Sequence, residues 1–271
     1  MSIKYVPRND YIDAKYDMRT EVACRDSYIL LSTPRSGSTM VCAFLHNNSY
    51  GIPHEYFQPG QYMKILSRRW NISRLNKRGL PVDMVEYGSS LLKYRTDRNG
   101  VFGCNIHGSH LEYFLDSGIG ERLRPKVNVL VRDDVVSQAV SYSIASQSSA
   151  WSSHYKSKAS PLYSFQNIMR KLSSIVYQNE LIYSRFKDEG ISNLIIYEDI
   201  KDNAPSELGR SFGIKHNGSN LTIDRQIDTR KDEFKKRFIL DAKRFGSAEM
   251  YNNFLSQQAR LIDKLRSIHR I

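Results

Sequence analysis

Tyr28-Ile29-Leu30-Leu31-Ser32-Thr33-Pro34-Arg35-Ser36-Gly37-Ser38-Thr39 is the stretch that decides the fold. Its short apolar opening reads as a buried strand. It then breaks into a turn of Pro, Ser and Gly, after which Met40 to Asn47 reads as a helix. Strand, tight turn and helix together make the opening unit of a parallel α/β sheet. Small residues at Ser36, Gly37 and Ser38 let backbone N–H groups crowd around an anion. The following helix adds unpaired N–H groups and about half a positive charge at its start. Ser38 and Thr39 supply hydroxyl donors, and Arg35 supplies a fork able to hold a phosphate. Ordinary strand-to-helix turns use the same residue types, so the turn alone does not name its anion. A Walker A loop needs Lys just before its final Ser/Thr, and Gly37 stands in that place. An ATPase or kinase is therefore disfavoured.

Outward from this turn the alternation continues. Val101 to Ile106 and Val127 to Val131 read as strands, and a helix is expected from about Asp134 to Gln147. Ser164 to Lys187 carries Ile168, Leu172, Ile175, Leu181 and Ile182 near helical spacing, and Gly190 ends it. Leu194 to Tyr197 is a fourth strand. Such alternation implies a mostly parallel sheet covered by helices on both sides. Residues 1–26 read as a polar lead-in, residues 58–99 as a less regular region over one edge of the site, and Ser148 to Pro161 as a mobile loop. No repeat or linker divides the chain, so residues 1–271 are read as one domain.

Composition narrows the partners. The 271 residues, 40% hydrophobic and 25% charged, suit a globular protein that needs no disulfide or metal staple. A net charge of +12 and a pI near 9.5 point to an anionic partner: nucleic acid, an anionic membrane surface or a small polyanion. The basic residues are scattered, with only short clusters at Arg68-Arg69 and Lys235-Lys236-Arg237, so no nucleic-acid or membrane tail is indicated. Cys24, Cys42 and Cys104 form no CxxC pair, and no metal is expected. The polar N-terminus has no apolar leader core, and no long apolar run follows it. Cytoplasmic location is the default, and the Asn-x-Ser/Thr triplets at Asn47, Asn71, Asn217 and Asn220 are read as chance matches.

Several blocks together resemble one family. Thr33 to Thr39 after a strand, Gly51-Ile52-Pro53-His54-Glu55-Tyr56-Phe57, and Val131-Arg132-Asp133-Asp134-Val135-Val136-Ser137-Gln138-Ala139-Val140-Ser141 followed by Trp151 stand in this order. Arg225-Gln226, Asp232-Glu233-Phe234 and Arg237-Phe238 complete the pattern. The chain is thereby similar to the bacterial Stf0-type sulfotransferases, the trehalose 2-sulfotransferase-like branch. The resemblance implies a P-loop-NTPase-like α/β fold, the donor PAPS (3′-phosphoadenosine 5′-phosphosulfate, leaving as PAP), and a carbohydrate or glycolipid acceptor. It implies that Arg35, Ser36, Gly37, Ser38 and Thr39 hold the 5′-phosphosulfate. Arg132 and a serine of the next helix, Ser141 before Ser137, would hold the 3′-phosphate. It is also compatible with a homodimer.

Sulfuryl transfer needs a proton acceptor for the attacking hydroxyl and cationic support for the leaving phosphate. The resemblance gives the first role to Glu55, with Arg35 on the leaving side; His54 and His107 are rival bases. Asn105 stands where the family usually carries Lys, which keeps hydrogen bonding but loses a charge. Tyr56, Tyr62 and Tyr142 offer flat faces with a hydroxyl that suit a sugar ring. The competing reading is a non-catalytic nucleotide- or nucleic-acid-binding protein, drawn from the positive charge alone.

Overall fold

The computed structural model describes residues 11–19, 21–72, 82–149, 151, 160–214, 230–244 and 247–269. Arg225-Gln226, Asn217, Asn220 and residues 152–159 of the expected loop lie outside the described residues.

Successive side chains of a strand point to opposite faces, and the central strand β1 (Asp26–Ser32) fills both. Ile29 and Leu31 enter one apolar cluster, whereas Tyr28 and Leu30 enter another. The strand is apolar throughout because neither face meets water, the signature of a parallel sheet covered by helices. The described residues form a four-stranded sheet in the order β2-β1-β3-β4, all parallel, with β2 at Val101–His107, β3 at Lys126–Val131 and β4 at Asn193–Ile196. The expected mostly parallel sheet flanked by helices is what forms.

On one face lie α1 (Ser38–Asn47), α8 (Tyr197–Ile200) and α9 (Ala204–Phe212), which pack Val41, Phe44, Leu45, Ile200 and Leu208 against Tyr28 and Leu30. The other face is covered by α2 (Tyr62–Arg69), α3 (Met84–Arg95) and α4 (Leu111–Asp116), together with the ends of α7 (Phe165–Phe186) and α11 (Ala248–His269). The short α5 (Ile119–Leu123) leads into β3. A third cluster ties α6 (Val135–Ser148) to α7 and α10 (Arg230–Arg244), with Phe238 fully buried among them. Burying a phenylalanine contributes about 1.5–3 kcal/mol, enough to dock α10 against that pair.

Two segments are more ordered than their composition suggests. Ile12, within the polar lead-in, is fully buried in the larger cluster. Nearby Asp17 accepts from Arg95 Nη2 at 2.6 Å and from Trp70 Nε1 at 2.9 Å. Arg95 itself is fully buried, with the Tyr56 and Trp70 rings each 5.6 Å from its guanidinium carbon. Residues 58–99 contain α2 and α3, whose Met63, Leu66, Tyr87 and Leu91 are core residues.

Candidate functional site

Chain order and sheet order together locate the crevice. After β1 the chain pairs β2 on one side of it and then β3 on the other. The strand ends at β1 and β3 therefore diverge, which is where open α/β sheets leave room for ligands. The turns after these two strands carry Arg35 and Arg132.

The first turn is tightly specified. Arg35 and Gly37 both have positive φ, +65° and +101°, so the chain reverses sharply before α1. Among the described residues no side chain caps the start of α1, so its first N–H groups face the turn without an internal acceptor. A Cβ on Gly37 would lie 2.5 Å from Tyr197 Cδ2, a distance no side chain tolerates. From α6, Gln138 donates to Thr33 Oγ1 and to the Pro34 carbonyl, both at 2.8 Å, and braces the turn. Ser36 and Ser38 are buried and Thr39 is exposed. Among the described residues the buried Ser36 hydroxyl has no partner, an expensive state for a polar group unless a ligand meets it.

Arg35 is half-buried; its Nε donates to Ser141 Oγ at 3.1 Å and its Nη1 to the Trp151 carbonyl. Arg132 Nη1 donates to the Arg35 carbonyl at 3.4 Å, and its Nε faces Glu198 Oε1 at 3.4 Å. Its guanidinium lies 4.3 Å above the Tyr197 ring. Burial first, and the neighbouring Arg132 second, lower the Arg35 pKa from its ordinary value, while Tyr197 and Glu55 act in the opposite sense. Two cations held this close disfavour each other's charge, and an anion between them would relieve both.

The acidic residues beside Arg132 are otherwise engaged. Asp134 caps α6 through Ser137 N at 3.0 Å and pairs with Lys235 at 2.6 Å, while Asp133 faces Arg266 at 3.7 Å. Ser137 Oγ donates to Asp134 at 2.6 Å. Ser137 is thus part of a helix cap, whereas Ser141 faces Arg35 one turn further along.

Glu55 sits on a strap, residues 51–57, that runs along the outer edge of β2. Asn105 N donates to the His54 carbonyl at 3.0 Å, and Gly51 N donates to Asp97 Oδ2 at 3.0 Å. Glu55 Oε2 lies 3.5 Å from His107 Nδ1 at the end of β2. Burial first and the Glu55 charge second raise the Tyr142 pKa, so Glu55, Arg35 and Tyr142 share one electrostatic environment. Asn105 is buried and accepts from Ser32 Oγ at 2.8 Å, a neutral link between β1 and β2. The His54 ring packs among Tyr11, Tyr56 and Tyr62.

Of the tyrosines expected to face a sugar, Tyr56 does not. It is fully buried and donates its hydroxyl to the Ile52 carbonyl, because the strap closes over β2 there. Tyr142 is half-buried, and its ring lies 5.9 Å from that of the exposed Trp151. Sequence reasoning gave no role to Gln138, Tyr197, Glu198 or His110. Gln138 stands within the Val131 to Ser141 stretch and Tyr197 at the end of the fourth apolar run, where neither residue type carries a local signal of its role.

No helix of the described residues is long and apolar enough to cross a membrane. Among solved structures, the sulfotransferase domain of the Synechococcus PCC 7002 olefin synthase is similar at 13% identity and TM-score 0.42, covering 82% of this chain and 98% of that one. A sulfotransferase from Alicyclobacillus acidocaldarius is similar at 12% identity and TM-score 0.38, covering 83% and 96%. No curated protein matches the chain. The pattern described as Stf0 sulphotransferase, in contrast, matches residues 27–241, from the first strand through the braced turn, Glu55 and Arg132 to α10, and on that span the chain belongs to the Stf0 sulphotransferase family as a sulfotransferase enzyme.

Proposed function

We propose that the protein is a cytoplasmic, single-domain enzyme that moves the sulfuryl group of PAPS to a hydroxyl of a carbohydrate or glycolipid. One observation carries the reading: Arg35, Arg132 and Ser141 converge beside the uncapped start of α1, in the crevice between β1 and β3. The residues present fit a doubly phosphorylated donor. The partnerless Ser36 hydroxyl and the two neighbouring guanidinium groups are features an anion would satisfy. Arg35, Ser36, Gly37, Ser38 and Thr39 would hold the 5′-phosphosulfate, and Arg132 with Ser141 the 3′-phosphate. The donor supplies an activated sulfuryl group; the protein's own residues supply position and charge.

In the transfer, Glu55 accepts the proton of the acceptor hydroxyl as that oxygen bonds to sulfur. The sulfur–oxygen bond to the 5′-phosphate breaks, and its electron pair stays on PAP. Arg35, the hydroxyls of Ser36 and Ser38 and the turn N–H groups balance that charge, often the larger share of the rate enhancement. Tyr142 and Trp151 offer an aromatic corner within electrostatic reach of Glu55 for a sugar face, and residues 58–99 would border the acceptor side.

Titration calorimetry with PAP tests the donor assignment. Wild type should bind, and Arg132→Ala should bind about 10–100-fold more weakly, the loss expected for a hydrogen bond to a charged group. Unchanged affinity in that variant would move the 3′-phosphate away from Arg132.

A further inference from the structure

His107 closes β2 and His110 closes the 3₁₀ turn Gly108–His110 that follows. His107 is the extended residue that precedes the turn, and the turn folds so that the two imidazoles lie side by side. Their rings stack at 5.6 Å and 28°. Glu55 approaches from the strap, and one ligating atom from each of Glu55, His107 and His110 lies within 4.8 Å of the other two. His107 is only 7% exposed, and its Nε2 and the His110 Nδ1 are buried without a hydrogen-bond partner among the described residues. The buried His110 Nδ1 with nothing to bind is a cost that a ligand can remove.

The three groups are held on rigid supports. A Cβ on Gly108 would lie 2.9 Å from Gln178 Cβ, and Ser109 N donates to Gln178 Oε1 at 3.1 Å, so the turn is pinned against α7. The strap bearing Glu55 is fastened to β2 through Asn105. Two histidines and one carboxylate form a borderline-soft donor set that suits zinc and its first-row neighbours and does not suit magnesium or calcium. Metal–ligand distances of about 2.0–2.2 Å require the three atoms to draw together modestly.

We propose that Glu55, His107 and His110 form a binding site for a divalent transition-metal ion of the zinc class, and that its occupation arrests sulfuryl transfer. The arrest rests on the reading of Glu55 as proton acceptor. A carboxylate oxygen bonded to Zn²⁺ no longer has its electron pair available for the acceptor proton, and the added charge opposes proton arrival. The metal site stands on geometry and does not depend on that reading.

Cobalt(II) titration of the full chain, followed by its visible absorption, reads the site directly, and equilibrium dialysis against zinc gives the stoichiometry. One equivalent should bind, and His110→Ala and Glu55→Gln should each weaken binding by about 100-fold or more, since losing a ligand costs at least as much as losing a group behind it. PAP titration of His110→Ala confirms that the variant is folded. Absence of binding, or equal affinity in folded His110→Ala, would overturn the site. Zinc should also abolish sulfate transfer by wild type at one equivalent bound, and a chelator should restore it. Stoichiometric binding with an unchanged rate would overturn the arrest and remove Glu55 as the base, leaving the metal site standing.

Discussion

Replacing Gly37 with alanine perturbs the turn in two ways that can be separated. The backbone there sits at φ +101°, where a non-glycine residue costs roughly 1–2 kcal/mol. The new methyl would also lie 2.5 Å from Tyr197 Cδ2, whereas carbon atoms rest at about 3.5–4.0 Å. The ring must therefore shift by about an ångström or more, and overpacking of this kind costs about 1–3 kcal/mol. Together these give about 2–5 kcal/mol of destabilisation, or a melting-temperature drop of roughly 4–20 °C. Because Tyr197 also lies under the Arg132 guanidinium, moving the ring should weaken PAP binding as well. Denaturant unfolding of Gly37→Ala, Tyr197→Ala and the double variant distinguishes the two effects. Removing the ring should recover the steric part and leave the backbone part, giving a coupling energy of about 1–3 kcal/mol. Strict additivity of the two substitutions, or a Gly37→Ala protein as stable as wild type, would refute the reasoning.

Glu55→Gln should bind PAP as wild type does while kcat for sulfate transfer falls by about 10²–10⁴-fold, measured with sulfur-labelled donor; full activity would reject Glu55 as base. Asp17→Ala should cost about 3–5 kcal/mol in urea unfolding, because it strands the fully buried Arg95 guanidinium without its counter-charge. A loss below about 1 kcal/mol would show that the pair contributes little. Burial lowers the His46 pKa from its ordinary value of 6.5, so the folded state resists protonation there more than the unfolded chain does. That contribution to stability is present above pH 6.5 and is lost as pH falls through the lowered folded value. His46→Gln should flatten the decline in melting temperature on this acid side, and an unaltered profile would assign the decline to other groups.

The central architecture was legible because its strands are short, wholly apolar runs bounded by breakers. β1, β2, β3 and β4 begin and end within about two residues of their sequence reading, and α7 within one. The turn after β1 was legible for a different reason: Ser-Gly-Ser between strand and helix has a backbone purpose. What composition hid was order created by long-range partners. The N-terminal segment looks like solvated lead-in until Ile12 meets the core and Asp17 meets Arg95. Residues 58–99 look irregular because Arg, Tyr and Gly mask the buried Met63, Leu66 and Leu91. The meeting of Glu55 with His107 and His110 cannot be read along the chain at all, since it arises from a strap lying beside the edge of β2. Likewise nothing local announces that Tyr197 closes the space above Gly37.

The helix α6 touches the turn after β1 twice, through Gln138 at Thr33 and Pro34 and through Ser141 at Arg35. These residues stand three apart, one step along a single helical ridge. One stiff rod therefore sets the shape of the turn and fixes one side of its arginine's fork, as a gauge block fixes two jaws at once. Length changes inside that step would rotate Ser141 by about 100° relative to Gln138 and set the jaws out of true. The Trp151 carbonyl, just past the end of α6, supplies the other hold on Arg35, so the chain leaving the rod bears on the same grip.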